Sequence, residues 1–157
     1  MSCYSIEISR LLMSATQEND VLLKQICNHF GDSAENEVGY RGCFKVNYPK
    51  LLDIEVEIPR YELSFKPFAD WKTEITPSWW IANNKVKHHR NKHFYDASLK
   101  NMLSSVCGLF LLNIFYYLKV KNNEQIYPGP KLFNAVGIVK SISPSVFGMV
   151  PNFKLPE

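Results

Sequence analysis

Residues 84–93 hold the groups best suited to chemistry in this chain. Asn84, Lys85, Lys87, His88, His89, Arg90, Asn91, Lys92 and His93 crowd one short stretch, and nowhere else are titratable groups so concentrated. On a helix over 77–92, Asn84, Lys87, His88 and Asn91 stand at steps of three and four and share one face. Trp79, Val86 and His93 fall on another face, expected to point at the core. An imidazole can take a ribose 2′-hydroxyl proton or protonate a leaving oxygen. A cation and amide donors can stabilise the added negative charge on a five-coordinate phosphorus. Metal-independent cleavage of an RNA phosphodiester needs these groups. His88 is expected as acid or base, with Lys87, Asn84 and Arg90 holding phosphate. Lys85, His89, Asn91, Lys92 and His93 are expected to add nucleic-acid contacts. A second copy in a homodimer is a source for the opposite acid or base. The plainer reading of the same residues is a solvated basic helix face.

Other chemistries find less support. His89 and His93 are four apart, but no Glu follows the first and no third ligand is near, so a metal site is not expected. The cysteines, at 3, 27, 43 and 107, form no Cys-x-x-Cys pair and read as reduced, mostly buried thiols. There is no Gly-Lys-Ser/Thr and no Gly-x-Ser-x-Gly. Only Glu74 and Asp96 flank the basic stretch, too few carboxylates for a magnesium-dependent nuclease. No cofactor is expected.

The elements that must position this stretch are mainly helical. The 157 residues, 46% hydrophobic and 21% charged, suit one domain with a real core. Net charge is +3, so the clustering of cations matters more than their sum. Over 4–30, Ile8, Leu11, Leu12, Ala15, Leu22, Ile26 and Phe30 recur at helical steps, with Gly31 as a stop. Gln17 to Asp20 is a polar interruption that leaves one helix or two open. Residues 31–42 read as a polar loop. Alternation in FKVNY (44–48), IEVEI (54–58) and YELSF (61–65) predicts two or three short antiparallel strands, with Pro59 and Arg60 joining the last two.

Thr76 is expected as the N-cap of the next helix, with Pro77 at its first position. Asp96 is expected to cap another helix running from 97 to about 120, after a bend between Asn91 and Asp96. Gly108 inside it predicts a close helix contact. Met102 to Leu118 carries no charge but contains Ser104, Ser105 and Asn113, and reads as a central core helix rather than a membrane span. Tyr127-Pro-Gly-Pro is expected to end the helical region, and 121–157 to be irregular. The opening MSCYSIEISRLL has no basic leader before an apolar run, which points to a cytoplasmic protein.

The run SWWIANNKVKHHRNKHFYDASLKNMLSSVCGLFLL resembles a pattern of small bacterial proteins: paired tryptophans, then Asn-x-x-Lys-His-x-Arg, then an apolar helix. It is also similar to the HEPN superfamily of helical domains found in toxin and antiphage systems. That resemblance implies a dimeric, metal-independent endoribonuclease. Its alternative is a non-catalytic module that binds RNA or a partner protein. The family motif is an Arg, often followed by a polar residue, with a His four to six residues on. Asn83 with His88, and Asn84 with His89, have that spacing, with Asn in place of Arg. The expectation is one domain over 1–157: a mainly α, HEPN-like bundle of about four helices. It comprises N-terminal helices in 1–30, a small antiparallel β element around 43–66, central helices in 77–120 and the C-terminal segment.

Overall fold

The computed structural model describes residues 3–122, 125–126, 128–145 and 148–156. Among the described residues it is mainly helical, with four α-helices and a small three-stranded antiparallel sheet, as the pattern predicts.

Helix α1, Ile6–His29, is continuous through the polar interruption. Ser5 opens it by accepting a hydrogen bond from the Ile8 N–H. Gly31, at φ +79°, closes it in the left-handed conformation that glycine adopts at little cost. Leu12, Ala15, Leu23, Ile26 and Cys27 make its buried stripe. Asn19 lies in that stripe too, and this is why the interruption does not break the helix. Its amide donates to the carbonyls of Ala15 and Ser105, each at 2.9 Å.

Helix α2, Glu37–Asn47, corrects two expectations at once. The polar loop over 31–42 is half helix, and the strand expected at 44–48 is the last turns of α2. Asn36 caps the helix through the Gly39 N–H, and Tyr40, Arg41, Cys43 and Phe44 bury at helical rather than alternating spacing. Period two over five residues was shorter than the helical period containing it.

The remaining strands form where expected. β1, Val56–Ile58, pairs antiparallel with β2, Leu63–Phe65, and a 3-10 turn over Pro59–Tyr61 joins them. The third strand of that sheet comes from far downstream. β3, Asn134–Ala135, lies on the other edge of β1, pairing Val56 with Ala135. Two further strands, β4 (Val139–Ser145) and β5 (Gly148–Phe153), pair antiparallel as a separate two-stranded sheet. The C-terminal segment is therefore not irregular; its prolines hid the strands. Tyr127, expected to mark the end of the helical region, lies outside the described residues.

Helix α3, Ser78–His93, carries the basic stretch, and α4, Leu99–Phe115, is the central core helix. A π-helical turn over Tyr116–Val120 extends α4. Leu99–Val120 is long and apolar enough to cross a membrane by length and composition; here its inner face packs along α1. Gly108 permits that approach: a Cβ there would meet Asn19 Oδ1 and Phe68 Cζ, both at 3.3 Å. Two expected caps differ. Pro77 precedes α3 without a side-chain cap, and Thr76 instead donates its hydroxyl proton to the buried carboxylate of Glu37. Ser98, not Asp96, caps α4, through the Asn101 N–H.

Candidate nucleic-acid interface

The N-terminal half of α3 is anchored. Trp79, Trp80, Ala82, Asn83 and Val86 are buried, and the Trp79 indole N–H donates to the Pro67 carbonyl. Burying two indoles fixes this half firmly, since each removes a large apolar area from water. Past Val86 nothing docks. Lys87, His88, His89, Arg90, Asn91 and Lys92 are all exposed.

With no packing to hold the helical geometry, α3 breaks at His89, whose φ of −141° and ψ of 49° lie outside the helical region. The bend thus falls earlier than expected. It also divides the expected stripe. Asn84, Lys87 and His88 keep their common face, whereas Asn91 lies beyond the kink and does not continue it.

The predicted site residues separate into three groups. Asn84 and Lys87 line a cleft of about 370 Å³ between α1 and α3, together with Gln17, Asp20, Trp80 and Asn83. His88 is not among its lining residues and has no hydrogen-bond or ion-pair partner among the described residues. Asn91 and Lys92 are likewise unpaired, and Arg90 lies 5.5 Å from the centre of the Phe94 ring. The third group surrounds Asp96. His93 Nδ1 is 3.0 Å from Asp96 Oδ2, Lys85 Nζ is 3.8 Å from the same oxygen, and the His89 ring lies 6.5 Å from that of His93.

The histidine held by a carboxylate is therefore His93, not His88. A carboxylate on one ring nitrogen fixes an imidazole's orientation and tautomer, which an acid or base requires. The spacing of His93 and Asp96, three residues apart, was a visible signal, obscured by reading Asp96 as a cap. Gln17 and Asp20, on α1, had no local signal tying them to α3.

Electrostatically, four cations lie between 85 and 92 and no carboxylate does. Of these, only Lys85 has a carboxylate within ion-pair distance among the described residues. Exposed ammonium and guanidinium groups without carboxylate partners attract polyanions. No family model matches the chain, and neither a curated protein nor a solved structure matches it.

Proposed function

We propose that this chain is a HEPN-like RNA-binding module whose kinked basic helix grips a phosphate backbone. The observation that carries this reading is the run of six consecutive exposed residues, Lys87 to Lys92, wrapped around the His89 kink with three cations and no carboxylate. A straight helix aims successive side chains around its whole circumference; the break lets neighbouring residues serve one strand. Phosphate contacts of this kind position a nucleic acid without reading its sequence.

The test is the affinity for a single-stranded RNA oligomer at several salt concentrations. Each phosphate contact contributes roughly 0.7 to the slope of log affinity against log salt for single strands. Three to four contacts predict a slope of about −2 to −3. Lys87→Ala and Lys92→Ala should each flatten it by about one contact. Absent or salt-insensitive binding would sink the reading.

A second reading, metal-independent RNA cleavage, is favoured by the His93–Asp96 pair. It places His93 in the acid–base role first expected of His88. RNA incubated with the protein in EDTA decides between them. Under the binding reading RNA stays intact; cleavage lost in His93→Ala but kept in His88→Ala would move the chain to the second.

A further inference from the structure

The cleft between α1 and α3 lies beside the proposed phosphate-binding run and shares Lys87 with it. Its volume, about 370 Å³, is in the range of small-molecule sites. Its walls are mixed. Trp80 and Val21 supply apolar surface, while Gln17, Asp20, Asn83 and Asn84 supply hydrogen-bonding groups. Lys87 stands among them as the cation.

Two of these groups have acceptor oxygens to spare. Asn83 is 7% exposed, and among the described residues its side chain makes one hydrogen bond, donated by Nδ2 to Asn84 Oδ1 at 3.4 Å. Its carbonyl oxygen is without a partner among the described residues. That oxygen keeps contact with solvent, so it is open to a water or to a bound group. The half-buried carboxylate of Asp20 makes no ion pair among the described residues. It lies close enough to the buried Tyr40 phenol to raise that phenol's titration, after the larger effect of burial itself.

We infer that this cleft takes one unpaired guanine, presented by the RNA strand that the basic helix holds. The inference rests on the RNA-binding reading and adds sequence preference to it. The argument is one of matching donors and acceptors. An ionised carboxylate only accepts, and it accepts two N–H groups side by side. Guanine's Watson–Crick edge offers such a pair, N1–H and the N2 amino group. Next to them guanine carries the O6 acceptor, which needs a donor. The Asn84 amide nitrogen meets that need, because the Asn83 amide already occupies the Asn84 oxygen. Adenine and uracil lack the adjacent donor pair, and cytosine offers only its single amino group to a carboxylate. Exposed Val21 and the small accessible edge of Trp80 give the ring an apolar margin, and the pairing along the exposed edge of the single-stranded base does the reading. Lys87 then meets the phosphate of the same nucleotide.

The experiment uses four eight-residue uridine-rich RNAs, identical except for G, A, C or U at one central position. Affinity is measured by fluorescence anisotropy with the full chain. The G oligomer should bind about tenfold or more tightly than the others, the discrimination expected of a good bidentate base contact. Asp20→Asn should lower its affinity to that of the other three. Asn84→Ala, at an exposed position that does not threaten folding, should cut the preference as well. Guanosine monophosphate as competitor separates the sources of the ring. Displacement only at millimolar concentration means that the strand delivers the base. Displacement at micromolar concentration means that a free nucleotide suffices, and both outcomes uphold a guanine site. Equal affinity for all four oligomers, with the salt dependence intact, overturns the guanine site while leaving the basic interface standing. No binding of any oligomer overturns both.

Discussion

Asp96 Oδ2 lies 3.0 Å from His93 Nδ1 and 3.8 Å from Lys85 Nζ, so one carboxylate oxygen ties the two sides of the α3 kink together. Asp96 also accepts the Asn101 side-chain amide at its carbonyl, which joins this cluster to the start of α4.

Asp96→Ala should therefore move stability and RNA affinity in opposite directions. Losing a half-buried carboxylate with two partners should cost about 1 kcal/mol in urea denaturation. The same change frees Lys85 and removes the nearest negative charge, so affinity for single-stranded RNA should rise at low salt. A fall in affinity at unchanged stability would contradict this.

Glu37 should prove far more sensitive. Its buried carboxylate accepts from the Trp71 indole N–H at 2.6 Å and the Thr76 hydroxyl at 3.0 Å, and lies 3.5 Å from the Arg41 guanidinium. Glu37→Ala strands the buried Trp71 N–H, while Arg41 keeps Glu74 at 3.1 Å, so the change should cost about 2 kcal/mol. Glu37→Gln, keeping the acceptor but not the charge, should cost less than the alanine variant. The urea midpoints of the two variants check the order.

Two glycines in α2 should respond with opposite signs. A Cβ at Gly42 meets nothing within 4 Å, so Gly42→Ala should gain the helix propensity difference, about 1 kcal/mol. A Cβ at Gly39 would stand 2.9 Å from the Ala34 Cβ, closer than two carbons pack. Gly39→Ala should therefore lose stability despite the same propensity gain. Paired thermal melts read the sign directly.

The cysteines should make the protein sensitive to alkali. Burial pushes the Cys107 thiol up to about 12 from the ordinary 9.0, and raises Cys27 and Cys43 as well. A thiol whose pKa is higher in the folded state favours folding below the unfolded pKa. That contribution is lost as pH rises above about 9, where the unfolded chain ionises and the native core does not. Stability should fall progressively above pH 9. A thiol reagent at neutral pH should modify exposed Cys3 first and the other three only on unfolding. Equal rates at all four would refute the burial argument.

Long-period patterns in the sequence were legible, whereas features set by distant partners were not. The α1 stripe, the buried Trp79 and Val86 and the close contact at Gly108 all follow from helical spacing or from one residue's special property. Residues 44–48 misled because a five-residue window alternates by chance inside a longer helical pattern. β3 was invisible because a two-residue strand has no pattern of its own and exists only through its pairing with β1. In the candidate site, the dense cations were readable, but the kink was not, because it follows from the lack of docking side chains after Val86. Asp20 joins Asn84 only because α1 packs on α3, a fact that no local spacing encodes.

The pairing of Val56 with Ala135 also bears on how the protein is made. β1 leaves the ribosome long before the strand that covers its open edge. Val136 N–H, which donates to the Glu55 carbonyl, and the buried Phe153 and Leu155 arrive later still. During that interval a nascent chain carries an unpaired sheet edge, the surface most prone to wrong association. A chain stopped after α4 would keep the whole basic helix yet never cover that edge, so its yield should be limited by aggregation during synthesis rather than by any loss at the site.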